Sequence, residues 1–243
     1  MLAKLSFFTL ITSMISMGSS LAVPATTPEP QTAEWAVKWW MQRHKETLER
    51  VKSAEVDLLW IGDSITDGWD DDAGLAVWNK VYGNRKPFNL GIGGDRTEQV
   101  IWRLRHGEVE GLAPRVVVLM IGTNNTGHRM DPAQETARGI QIILNEIRTR
   151  LPEARILLLG IFPRGATPED PKRQRNEAVN NIIRQFEDGE MIHYLNINPY
   201  FLDGAGILSS EIMPDLLHLS PKGYQIWADA MEPKLASLLN DSK

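Results

Sequence analysis

The stretch Val116-Val117-Val118-Leu119-Met120-Ile121 carries six apolar side chains in succession and stops at Gly122-Thr123-Asn124-Asn125. A run this short, rich in β-branched residues and closed by turn formers, reads as a strand. It does not alternate with polar residues, so both of its faces must be covered, as they are inside a parallel sheet. Residues 155–161 repeat the pattern through Ile156-Leu157-Leu158-Leu159, and shorter apolar runs occur at 56–61, 87–90 and 191–197. Amphipathic stretches separate them at 73–81, 97–105, 132–150 and 172–187, and a last one covers 221–239. Strand–helix alternation of this kind predicts an α/β fold, a three-layer doubly wound sandwich on a five-stranded parallel sheet. Asp131-Pro132 with Gln134, and Ser220-Pro221, read as helix caps followed by a proline at the first helical position. An extra helix over 34–52 carries Trp35, Trp39 and Trp40, whose spacing of four and five predicts core packing.

Outward from this alternating region, residues 1–20 hold a single charge, Lys4, an uncharged apolar run over 5–17, and small residues up to Ser20-Leu21-Ala22. That is the pattern of a secretory signal peptide cut after Ala22, and it predicts a secreted or periplasmic protein. The run is shorter than the about 20 residues that a membrane span needs, and no Cys stands at the cleavage site to take a lipid. No stable membrane anchor is expected. Residues 23–33, with Pro24, Pro28 and Pro30, read as a linker, and 34–243 as one domain. Removing the first 22 of 243 residues leaves 221, and the loss of Lys4 takes the formal charge from −5 to −6. An acidic balance argues against a nucleic-acid partner, which needs a basic surface. The chain has no Cys, which excludes a disulfide framework, a thiolate metal site and a Cys nucleophile.

In an open α/β sheet, ligands sit beyond the carboxyl ends of the strands. Those positions read Gly62-Asp63-Ser64-Ile65-Thr66, Gly91-Ile92-Gly93-Gly94-Asp95, Gly122-Thr123-Asn124-Asn125 and Phe162-Pro163-Arg164-Gly165. After the fifth strand comes a loop of about 22 residues over 198–219, long enough to be functional, with Asp215-Leu216-Leu217-His218 in it. The Gly91-x-Gly93-Gly94 run is not a dinucleotide loop, because the third glycine of that fingerprint would fall at Arg96. Asp70-Asp71-Asp72 reads as a solvated loop. A serine, a Gly-rich loop, an asparagine and an Asp-x-x-His at four strand ends are the parts that acyl transfer requires.

Gly62-Asp63-Ser64-Ile65, the Gly94 loop, Gly122-Thr123-Asn124 and Asp215-x-x-His218 resemble the four sequence blocks of the SGNH (GDSL-type) hydrolases, in order. The stretch Asn89-Leu90-Gly91-Ile92-Gly93-Gly94-Asp95-Arg96-Thr97, with Leu217-His218-Leu219-Ser220, narrows the resemblance to esterases like the catalytic subunits of platelet-activating-factor acetylhydrolase. The resemblance implies Ser64 as nucleophile, His218 as its general base and Asp215 as the group orienting the imidazole. It also implies an oxyanion hole from the backbone N–H groups of Ser64 and Gly94 and the side-chain amide of Asn124. It brings a 2-1-3-4-5 strand order and calls for no cofactor or metal. The expected function is a secreted serine esterase for short acyl groups, with O-acetylated carbohydrate or another small ester as substrate. A phospholipid acetylhydrolase or lysophospholipase stays open within the same chemistry, and a non-catalytic carbohydrate-binding protein outside it.

Overall fold

The computed structural model describes residues 24–240. The signal-peptide reading falls on residues outside that range. In chain order the main elements are α1 (Val37–Val51), β1 (Leu58–Gly62), α2 (Ser64–Asp67), α3 (Leu75–Val81), β2 (Pro87–Gly91), α4 (Thr97–Arg105), β3 (Val116–Met120), α5 (Thr123–Arg129), α6 (Ala133–Arg150), β4 (Arg155–Leu159), α7 (Pro171–Ile183), β5 (Ile192–Leu195) and α8 (Pro221–Asn240). The five strands form one parallel sheet in the order β2-β1-β3-β4-β5. The order changes direction at β1 and β3, so the carboxyl ends of β1, β2 and β3 meet where a ligand cleft is expected.

The uninterrupted apolar runs are divided by the pleat between two cores. Leu59 and Ile61 of β1, Val117 and Leu119 of β3, and Ile156 and Leu158 of β4 pack with α4, α6 and α7. Their neighbours Leu58, Trp60, Val116, Val118, Met120, Leu157 and Leu159 pack with α3 and α8 on the other face. The second core explains half of the chain's tryptophans. Trp60, Trp69, Trp78 and Trp227 meet there with ring centroids 5.0–5.8 Å apart in several pairs, in tilted and edge-on geometry.

Three local expectations change. The cap expected at Asp131 is absent: α6 starts at Ala133 after Pro132. The Asp131 carboxylate is occupied instead by Arg129, at 3.0 and 2.7 Å, and by the Asn125 amide at 3.1 Å. Charge-assisted bonds from a guanidinium outcompete a cap bond to a neutral N–H. At the other site the cap forms, with Ser220 Oγ accepting from the Gly223 N–H at 3.2 Å. Second, the turn formers Thr123-Asn124-Asn125 that close the third strand open a helix, α5, despite a sequence poor in helix formers. Arg164 holds its first residue, donating to the Thr123 carbonyl at 2.9 Å, so tertiary contacts override propensity. Third, the stretch read as a linker is packed onto the domain. Ala25 is buried, and its carbonyl accepts from the Thr97 hydroxyl at 2.7 Å. Gln31 is buried and donates to the Gly94 carbonyl at 3.4 Å.

Candidate active site

Ser64 follows β1 after one residue, Asp63, and opens α2, and three neighbours hold this turn. Asp63 Oδ1 accepts from the Ile65 N–H at 3.0 Å. Tyr224, reaching across from α8, donates its hydroxyl to the Ile65 carbonyl at 2.8 Å. Asn89 of β2 donates to the Thr66 carbonyl at 2.9 Å, while its own oxygen accepts from Gly91 at 2.8 Å. A short helix with little propensity is thereby fixed by contacts from β2 and α8 as well as by its own cap.

His218 and Asp215 arrive on the long segment after β5, which is clipped to the segment after β4. Leu208 donates to the Ala166 carbonyl at 2.9 Å, and Gly165 to the Leu216 carbonyl at 3.0 Å. Asp215 uses its two oxygens differently. Oδ1 accepts from the backbone N–H groups of Leu217 and His218, at 3.0 and 2.7 Å, and Oδ2 lies 2.6 Å from His218 Nδ1. Leu216 adopts φ 60° to make so tight a turn. His218 Nε2 lies 2.9 Å from Ser64 Oγ. A carboxylate only accepts, so Nδ1 carries the proton and Nε2 is left as the acceptor facing the serine. Burial pushes the Asp215 carboxyl up, but the His218 N–H, the imidazole and the Leu217 N–H outweigh it and hold the group below the usual value. Asp63, beneath the serine, goes the other way. Burial pushes it up to about 6, against the opposing pull of the Ile65 N–H, His218 and Arg164.

The loop after β2 lies against this array. A Cβ placed on Gly93 would be 4.0 Å from Ser64 Cβ. Gly94 has φ 78°, and a side chain there would also overlap the Trp35 indole, so only glycine serves. Asn124, buried in the first turn of α5, donates one amide hydrogen to the Asp95 carbonyl at 2.9 Å. The structure thus brings Ser64, His218 and Asp215 into one hydrogen-bonded chain. It ties Asn124 to the loop that carries Gly94.

The core reading of the N-terminal tryptophans holds only for Trp40, which is buried and donates to Asp95 Oδ1 at 2.6 Å. Trp35 is 56% exposed and Trp39 40%, and both stand beside the glycines of the loop after β2. The beginning of α1 overhangs that loop rather than the sheet, so its outward residues have no core to enter. Trp39 and Trp40 are adjacent and so point about 100° apart on a helix, and here only Trp40 points inward. Sequence reasoning also did not single out the buried chain behind the loop. There Arg103 Nε meets Asp95 Oδ2 at 2.7 Å and its other arm meets Glu108, which in turn lies 2.7 Å from His44 Nδ1.

Comparison with known proteins agrees with this geometry. Residues 60–226 match the GDSL-like lipase/acylhydrolase family. The chain is 34% identical over 221 residues to platelet-activating factor acetylhydrolase IB subunit alpha1 of Bos taurus, covering 90% of this chain and 92% of that protein. Among solved structures it is similar in fold to a GDSL-like lipase from Bacteroides thetaiotaomicron, with TM-score 0.63, 18% identity and coverage of 83% and 98%. It is also similar to an acetylxylan esterase from Geobacillus stearothermophilus, with TM-score 0.59, 21% identity and coverage of 73% and 93%. From a parallel sheet whose strand ends carry a serine, an imidazole and a carboxylate in contact, and from these matches, the chain belongs to the GDSL-like lipase/acylhydrolase family and is a carboxylic-ester hydrolase.

Proposed function

We propose that this protein is an exported serine esterase that removes acetyl-sized acyl groups from soluble esters, O-acetylated carbohydrates in particular. The observation that carries the reading is the continuous chain Ser64 Oγ–His218 Nε2 at 2.9 Å and His218 Nδ1–Asp215 Oδ2 at 2.6 Å. In this reading Nε2 takes the hydroxyl proton as Oγ attacks the acyl carbon, and Asp215 stabilises the resulting imidazolium. The negative oxygen of the tetrahedral intermediate is held by the Ser64 and Gly94 N–H groups and the Asn124 amide. The alcohol leaves with the proton from His218, and a water activated by the same imidazole releases the acid.

A preference for short acyl groups is supported by the long segment after β5. An enzyme for long chains needs an apolar channel, since each buried CH₂ contributes about 0.8 kcal/mol. Of that segment's apolar residues Ile207, Leu208, Ile212 and Met213, Leu208 and Met213 are spent inside the fold and Ile212 packs on the same core. This leaves Ile207 as the exposed one of the set, too little for an apolar lid over the cleft. Export is supported by the signal-like pattern of residues 1–22. The acidic charge disfavours an anionic membrane surface.

The test is a chain-length series of chromogenic esters from two to sixteen carbons without detergent, followed by acetylated sugars against acetylated phospholipids. The kcat/KM maximum is expected at the shortest chains, with sugars preferred. A maximum at eight carbons or longer would restore a lipase, and preference for the phospholipid would restore the activity named for the mammalian relatives.

A further inference from the structure

Beyond the reacting groups, two indoles line one wall of the same cleft. Trp39 donates its Nε1–H to the Trp35 carbonyl at 3.1 Å, and the two ring centroids lie 6.0 Å apart at 44°. Trp35 rests on Gly94. A Cβ placed on Gly93 would lie 3.7 Å from Trp39 Cη2 and 4.0 Å from Ser64 Cβ, so a single small group spans the gap between the ring and the serine. The same point is 3.8 Å from Asp67 Oδ2. Asp67 Oδ1 accepts from Arg43 Nη2 at 2.9 Å, and both side chains are about one-third exposed. Arg43 follows Trp39 by four residues on α1 and therefore shares its face.

An exposed aromatic face bordered by a partly exposed carboxylate and guanidinium matches a particular kind of ligand. A pyranose ring presents an apolar face of C–H groups and a rim of hydroxyls. The face stacks on an indole, and the rim exchanges hydrogen bonds with Asp67 and Arg43. An alkyl chain would meet an ion pair at the edge of the platform, which it cannot satisfy. We propose that Trp35, Trp39, Asp67 and Arg43 form a subsite that stacks a pyranose ring on the alcohol side of the ester, beside Ser64. The subsite rests on the acetyl-carbohydrate reading above and names the side chains that would select the sugar.

The experiment compares acetylated xylotriose with ethyl acetate, whose two-carbon alcohol has no ring face to stack on an indole, by titrating released acid. In Trp39→Ala the ratio of kcat/KM for the sugar over ethyl acetate is expected to fall about tenfold, the scale of one lost aromatic contact. Trp39→Phe should restore most of it, and a merely structural role for Trp39 would lower both substrates together. Calorimetry gives a second readout: unacetylated xylotriose should bind Ser64→Ala and lose that binding in Ser64→Ala/Trp39→Ala. If the wild type hydrolyses both substrates and the ratio does not move in Trp39→Ala, the subsite is overturned and the carbohydrate reading stands. If the wild type hydrolyses ethyl acetate but not the sugar, the carbohydrate reading falls and takes the subsite with it. A larger Trp39→Ala effect on an acetylated phospholipid than on the sugar overturns the pyranose assignment in favour of lipid.

Discussion

Asp215 shows how much one side chain can be asked to do. Its Oδ1 organises the turn by accepting from two backbone N–H groups, and its Oδ2 orients the imidazole. Asp215→Asn can keep the first task, since the amide oxygen still accepts. It loses the second, because an NH₂ facing Nδ1 favours the tautomer with the proton on Nε2. Folded Asp215→Asn is therefore expected to lose about 10⁴ in kcat, on the precedent of the same change in another triad enzyme, and Ser64→Ala several orders of magnitude. Steady-state kinetics with circular dichroism as a folding check decides it, and near-normal turnover by folded Ser64→Ala would remove the serine from the mechanism. Asn124 belongs to the same scale. If its free amide hydrogen meets the oxyanion, Asn124→Ala costs about 10²–10³ in kcat with little change in KM. A change confined to KM would make it a ground-state contact.

At the scale of elements, the cleft depends on segments that sit outside the sheet. The Gly94 loop is held from behind by a buried chain that joins α1 to α4 through Trp40, Asp95, Arg103, Glu108 and His44. From the side it is held by residues 24–33, docked through the Ala25 carbonyl and Gln31. That docking uses Gly139 of α6. A Cβ there would overlap the Ala25 carbonyl oxygen and lie 2.6 Å from Thr97 Oγ1. In most helices Gly→Ala stabilises by roughly 0.5–1 kcal/mol. Here the overlap reverses the sign, and Gly139→Ala is expected to destabilise by about 1–3 kcal/mol. Thermal melting measures this, and faster proteolysis within residues 24–33 would locate the effect. A variant as stable as the wild type would mean that the N-terminal segment contributes little to the fold.

The whole molecule carries one pH signature that follows from Asp63. Its folded pKa of about 6 lies above the about 3.9 of an unfolded aspartate. Between those values the folded chain keeps a proton that the unfolded chain has released, so more protons are bound in the native state. The contribution of this group to stability is then greatest below about pH 4 and declines as pH rises to about 6. This is the opposite of a carboxylate stabilised by a partner, such as Asp215. Asp63→Asn retains the bond from the Ile65 N–H but does not titrate. The difference in melting temperature, variant minus wild type, should therefore increase from pH 4 to pH 7. A difference that is constant across this range would mean that Asp63 stays ionised under Ser64.

The strands, their order of appearance and the strand-end residues were legible in the sequence because each rests on local chemistry. Val116–Ile121 needs both faces covered whatever surrounds it, and Ser220 caps a helix with its own hydroxyl. The candidate triad was legible for a similar reason, since Asp215 and His218 lie in one turn and Ser64 in another. Other features depended on contacts between segments far apart in the chain. Asp131 lost its cap role to Arg129, α5 formed around Arg164, and residues 24–33 found a docking site made by Gly139 and Thr97. The tryptophans at positions 35, 39 and 40 illustrate the division best. Hydrophobicity alone sends all three to the core. Which of them is buried depends on where the helix sits over the sheet. The start of α1 projects past the strand ends, so Trp40 turns inward to Asp95 while Trp35 and Trp39 face the cleft.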